Sequence, residues 1–339
     1  MKKLLVIALI YALTLGLTSG VFAQDEESSA PELSISGSID AYYRANLNNS
    51  NNASTTATMA PGSSFANNPG FALGMANIIL GMDGEKAGFV ADLVFGPRGN
   101  DAVFNSLAGS TPIINQLYAY WNVSDGTTLT FGNWNTFLGY EVISPTANFN
   151  YSTSYMFSYG PFSHTGVKAD FTLSDDASLM LSVMNPTDAT DFSPNGQYVL
   201  GAQLGVSGQY LNFILDSAND FWQIDFTGGV DLGETVFLGL NATSAKDSFT
   251  GVALYLQNSF SDDFSMGLRA EYFDDEGGVA LTAGESVIDL TLSANYSVGN
   301  MTLIPEIRLD SFSVDEIADE DGGAKSSLSS FVIAAVYSF

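Results

Sequence analysis

Cysteine is missing altogether from these 339 residues, histidine occurs once, and ten lysines and arginines stand against 37 aspartates and glutamates. Without cysteine the chain has no disulfide staple, no thiolate metal ligand and no thiol nucleophile. One histidine, His164, excludes a metalloprotease histidine pair and leaves a Ser–His hydrolase a single candidate base. The expectation is therefore a non-enzymatic protein, with no catalytic residue, no metal site and no cofactor. So few cations could not neutralise many phosphates, which argues against nucleic acid as a partner. Long apolar runs are scarce too: past the first 23 residues, none reaches the ~20 residues that a membrane-spanning helix needs.

The one apolar run is N-terminal. Lys2 and Lys3 precede apolar residues 4–17, and small residues lead to Val21-Phe22-Ala23, the pattern of a cleaved export signal over 1–23. Residues 24–32 then form a short segment before a domain over 33–339. Removing Lys2 and Lys3 leaves eight basic residues against 37 acidic ones, a net charge of −29. The 33 glycines, 24 phenylalanines and 15 tyrosines with only 14% charged residues are strand-and-turn chemistry.

The segment 327–339 sets the pattern. Phe331, Ile333, Ala335, Tyr337 and Phe339 alternate with Ser330, Val332, Ala334, Val336 and Ser338, a strand with one face that needs covering. An aromatic residue closing such a strand resembles the assembly signal of Gram-negative outer-membrane barrels. That implies the barrel assembly machinery, outer-membrane lipid and lipopolysaccharide as partners. Fifteen further segments share the two-residue period: 33–47, 72–82, 89–96, 113–123, 127–133, 163–173, 178–185, 198–206, 210–216, 222–231, 235–243, 249–258, 264–273, 287–296 and 301–310. Tight turns alternate with longer connections, too short for the crossovers of a parallel sheet. The fold class expected is all-β: a transmembrane antiparallel up-and-down β-barrel of about 16 strands, whose even count leaves both termini on the periplasmic side. Pro305 removes a ladder donor and could mark a bulge.

In-strand charges should avoid the lipid face, where Lys or Arg at mid-depth costs ~2–4 kcal/mol. Asp40, Arg44, Asp92, Lys168, Asp170, Asp216, Asp225, Arg269, Glu271, Asp289, Glu306, Arg308 and Asp310 all fall on the parity opposite the apolar one, and are the expected pore-lining residues. A soluble periplasmic β-sandwich would alternate in the same way. Its rival, the membrane barrel, better explains the aromatics near segment ends on the apolar parity (Tyr43, Trp121, Phe131, Phe171, Phe226, Tyr272, Tyr296 and Tyr337), placed as interfacial girdles are.

Between 131 and 167 the chain reads Phe131-Gly132-Asn133-Trp134-Asn135-Thr136-Phe137-Leu138-Gly139-Tyr140-Glu141, then Tyr151-Ser152-Thr153-Ser154-Tyr155 and Gly160-Pro161-Phe162-Ser163-His164-Thr165-Gly166-Val167. These forty or so residues resemble the β-barrel porin family related to OmpL. The resemblance implies an outer-membrane channel. The residues themselves say something narrower: a connection this rich in Phe, Tyr, Leu, Ile and Met is too apolar for an exposed loop. Either it folds into the barrel mouth as a constriction, with Glu141, Tyr140, Tyr151 and Tyr155 in it, or it packs over the rim or extends two strands outward.

The function expected is passive diffusion of small hydrophilic solutes, with the nine acids and four bases of the inward set favouring cations. Alternatively those charges pair along the wall as ladders, or the protein is a structural or adhesive surface barrel with no open pore. A homo-oligomer fits either version. The acidic runs Asp274-Asp275-Glu276, Asp315-Glu316 and Asp319-Glu320-Asp321 lack EF-hand spacing and read as solvated loops.

Overall fold

The structure is a computed structural model, and it describes residues 32–52, 64–103, 111–319 and 322–339. The expected export signal over 1–23, nearly all of the segment 24–32, and Glu320 and Asp321 of the last acidic run lie outside the described residues.

Each period-two segment becomes a strand: β1 (Leu33–Asn46), β2 (Gly70–Met82), β3 (Ala87–Phe95), β4 (Ile114–Ser124), β5 (Thr127–Asn135), β6 (Ser163–Ser174), β7 (Ala177–Met184) and β8 (Val199–Val206). There follow β9 (Gln209–Asp216), β10 (Phe221–Leu232), β11 (Val236–Ala245), β12 (Phe249–Ser261), β13 (Phe264–Asp275), β14 (Glu285–Val298) and β15 (Met301–Phe312). A two-residue hairpin, β16 (Ile317–Ala318) and β17 (Ala324–Lys325), interrupts the connection to β18 (Ser327–Ser338). Among the described residues two short α-helices occur in connections, α1 (Pro97–Ala102) and α2 (Tyr155–Tyr159).

β1 to β15 and β18 form one closed antiparallel barrel of sixteen strands, each paired with its neighbours in sequence and β18 paired with β1. At the seam Ile39 faces Tyr337 and Arg44 faces Val332. Gly37 and Phe339 exchange backbone hydrogen bonds of 3.0 Å in both directions. Closure leaves no unpaired edge, the condition for a sheet to sit in hydrocarbon.

Alternation sorts the side chains. Leu254, Leu290, Leu292, Ile307 and Leu309 stand on the outside, 40–52% exposed, while Arg269, Asp289 and Thr291 on the opposite parity are fully buried. Of the girdle aromatics, Trp121, Phe131, Tyr272, Tyr296 and Tyr337 are exposed on the outer face. The sheet closes on itself and, among the described residues, its apolar face stays exposed, so the sandwich alternative does not apply.

Pro305 behaves differently from expectation. It pairs with Ile333 on β18, while the β14–β15 ladder lapses between Ser293↔Glu306 and Tyr296↔Leu303 and resumes in the same register. The missing N–H is absorbed by a gap in one ladder rather than by a bulge. One of the barrel's bulges lies in β2, where the register slips between Ile39↔Ala76 and Ala41↔Leu73. There the Asp40 carboxylate accepts the Met75 N–H at 2.9 Å. A Cβ on Gly74 would fall 1.6 Å from that carboxylate, so any side chain there would displace it.

Candidate pore and the segment inside it

The connection 136–162 between β5 and β6 runs inside the barrel. Its apolar residues find their burial there: Leu138, Ile143, Tyr151, Tyr155, Met156, Phe157 and Phe162 are all buried. Ile143, Phe157 and Phe162 join Phe65, Met75 and Val94 in one cluster. Tyr155 and Met156 join Phe249, Phe273 and Phe312 in another.

Polar contacts fix the crossing. Glu306 on β15 accepts the backbone N–H of Tyr151 at 2.9 Å and of Ser152 at 3.3 Å, and also takes the Ser152 hydroxyl proton donor. Glu271 on β13 accepts the N–H groups of Tyr155 and Met156, each at 2.8 Å. These belong to the first turn of α2, whose N-cap Ser154 accepts from Phe157. A carboxylate at a buried helix start satisfies donors that would otherwise be orphaned. Asp225 on β10 accepts the Gly139 N–H at 2.9 Å, and Tyr151 donates its hydroxyl to Asp40 at 2.5 Å. Tyr140 stacks on Tyr255 of β12 at 4.1 Å between centroids.

At the centre is a buried ionic chain. Glu141 meets Arg269 at 2.6 Å, Arg269 meets Asp289 at 2.8 Å, Asp289 meets Arg308 at 3.1 Å, and Arg308 meets Asp310 at 2.9 Å. The arginines also reach the inserted backbone, Arg269 donating to the Ser152 carbonyl and Arg308 to the Thr153 carbonyl, both at 2.7 Å. One chain of charges thus runs along β13, β14 and β15 and extends to the inserted segment.

The remaining sequence-derived residues divide. Arg44 and Asp92 are buried on the inner face, Asp92 accepting from Asn115 at 2.7 Å and Gln116 at 3.2 Å. Lys168 and Asp170 form a partly exposed pair at 3.2 Å. Asp216 sits at the rim, where its carboxylate caps the turn at Ala218 and Asn219. His164 is buried, 3.0 Å from the Thr136 hydroxyl and packed on Phe137.

Arg98 of α1 escaped the sequence reading, because it lies in a connection and no parity rule applies there. It is buried, donates to the carbonyls of Ile143 at 2.9 Å and Tyr151 at 3.3 Å, and lies over the Phe65 ring at 4.4 Å. The one usable signal was an arginine after Gly96-Pro97, a helix start that could turn it inward. Asp188, in the connection between β7 and β8, was missed as well. Its carboxylate accepts the N–H groups of Phe162 and Ser163, both at 2.8 Å, and ties down the segment's return limb. Burial pushes this carboxyl up to about 6, against the two hydrogen bonds that favour its ionised form.

Against the wall of β4 to β8 a cavity of about 580 Å³ remains, lined by inward residues of those strands and by residues 134–137.

Residues 32–339 match one family model, described as "Putative beta-barrel porin-2, OmpL-like". The chain belongs to this OmpL-like porin family. No curated protein matches the sequence. Among solved structures the OmpL-like chain is similar to OmpF of Salmonella typhi in complex with daunomycin, with TM-score 0.59, 12% identity, and coverage of 91% of this chain and 98% of that one. It is similar to OmpT of Vibrio cholerae, an outer-membrane protein in trimer form (TM-score 0.57, 11% identity, 92% and 100% covered). It is also similar to an anion-selective porin of Comamonas acidovorans (TM-score 0.53, 9% identity, 91% and 99% covered). At such identities the likeness is one of fold. The sixteen-strand porin barrel is common ground, and the interior of this OmpL-like member has to be read from its own residues.

Proposed function

We propose that the protein is an outer-membrane porin, exported by its N-terminal signal and passing small hydrophilic solutes through a lumen narrowed by residues 136–162. The observation that carries this reading is the anchoring of that segment on the far wall. Carboxylates of β10, β13 and β15 hold its backbone N–H groups, and arginines of β13 and β15 hold its carbonyls.

Nine acids and four bases in the inward set favour cations. The preference is modest, because most of those carboxylates already accept hydrogen bonds or ion pairs. The trimeric form of OmpT makes a homo-oligomer the natural assembly to look for.

Deleting residues 142–155 and recording single-channel currents in planar bilayers is the test. The deletion should raise conductance several-fold, and the intact protein should give a reversal potential weakly on the cation side. Unchanged conductance would remove the segment from the permeation path; anion preference would remove the charge argument. A second reading has one observation in its favour: Tyr151 and Tyr155 are at most 1% exposed, so the segment is packed as tightly as a core. If neither the intact nor the shortened protein conducts, the barrel is a closed structural element.

A further inference from the structure

We infer that the cavity against β4 to β8 is a binding site for an uncharged polyhydroxylated solute of mono- or disaccharide size. The inference rests on the porin reading for its biological sense, although the binding it asserts does not require an open pore. At about 580 Å³ the space falls within the ~300–1,000 Å³ of small-molecule sites.

The lining has three components. The first is aromatic: Tyr118 and Tyr120 from β4 and Phe137 from the inserted segment are half-buried, so each still offers surface to the cavity. Such surfaces suit the C–H faces of a sugar ring, and a small cation or anion would gain less from them. The second component is amide and hydroxyl. Gln116 and Gln203 line the cavity, as do Thr128 and Thr130. These groups donate and accept in the mixed pattern that hydroxyls need. The third is charge, and it cancels: Lys168 and Asp170 face the space as a pair 3.2 Å apart. No net charge is left to select an ionic solute.

An independent sign comes from polar atoms without partners. Trp134 lines the same cavity and is 4% exposed, yet its indole Nε1 has no hydrogen-bond partner. The Oδ1 of Asn135, next to it in the lining, has none either. Buried donors and acceptors left open are costly and call for something that satisfies them. Each of these two atoms would be satisfied by a hydroxyl group, which both donates and accepts.

The chain contains three tryptophans, and two of them, Trp121 and Trp222, face outward at 42% and 36% exposure. Trp134 alone reports from inside, which supplies the readout. The folded full-length protein in detergent micelles should be titrated with glucose and with maltose while tryptophan emission is followed, and with serine and potassium chloride as comparisons. Saturable change with at least one sugar is expected, together with its disappearance in Trp134→Phe. Tyr118→Ala should weaken sugar binding roughly three- to tenfold, with heat-resistant electrophoretic mobility used to verify that the barrel is intact. Should the Tyr118→Ala barrel not assemble, Thr130→Val is the substitute and should weaken binding in the same direction. A flat titration with both sugars overturns the inference, as does saturation by serine alone, which would assign the Lys168–Asp170 pair to a zwitterion. Because this assay works without conduction, a channel that fails in bilayers but binds sugar refutes the pore and leaves the site standing.

Discussion

Arg269 illustrates how one side chain can be committed to several partners at once. Fully buried, it holds Glu141 of the inserted segment, Asp289 of the neighbouring strand and the Ser152 carbonyl. Replacing it with alanine leaves Glu141 without its cation inside the barrel and Asp289 with Arg308 alone. Removal of one member of a buried ion pair typically costs ~3–5 kcal/mol, and Arg269→Ala should lower unfolding stability in urea by about that much. A loss below ~1 kcal/mol would mean that the chain of charges is solvated rather than structural. Asp188 acts in the opposite sense. Its folded value, pushed up to about 6, lies above the value of an unfolded aspartate near 4, so the native state binds the proton more tightly. The stability it contributes is complete below about pH 4 and is lost as pH rises through about 6. Asp188→Asn keeps an acceptor for Phe162 and Ser163 without the charge. It should flatten the pH dependence of the unfolding midpoint between 4 and 7, and an unchanged slope would exclude Asp188 as its source.

Among the elements, the inserted segment separates what sequence could tell from what it could not. Its apolar content said that it had to be buried, and Glu141, Tyr140, Tyr151 and Tyr155 were singled out within it. Which wall it would meet was not legible. The contacts of Tyr151 with Asp40 and of Ser152 with Glu306 span 111 and 154 residues, and no local period encodes a distance of that kind. The strands were legible for the opposite reason. Lipid outside and polar groups inside impose the same two-residue rule on every one of them, so Asp289 and Leu290 declare their faces from their neighbours alone. Strand limits were less certain by a residue or two. β14 runs from Glu285 to Val298, past both ends of its apolar stretch, because the ladder continues where the burial signal fades. Arg98 and Asp188, on connections without a period, left no comparable trace.

For the molecule as a whole, the outer surface is the deciding feature. Leu290 sits near the middle of β14, is 41% exposed, and on both sides alternates with the fully buried Asp289 and Thr291. If hydrocarbon covers this face, Leu290→Arg should cost ~2–4 kcal/mol in lipid vesicles, the penalty for a cation at bilayer mid-depth. Measured by urea unfolding in vesicles, a cost near zero would mean that the belt is in contact with water.

The two hydrogen bonds between Gly37 and Phe339 carry a kinetic corollary. They join residues about 300 positions apart, so closing the ring requires the two most distant strands of the polypeptide to meet. Until that moment every intermediate presents two raw sheet margins, each able to recruit a stranger. An unclosed form of this sheet would therefore be prone to pair with other chains until the first and final strands meet.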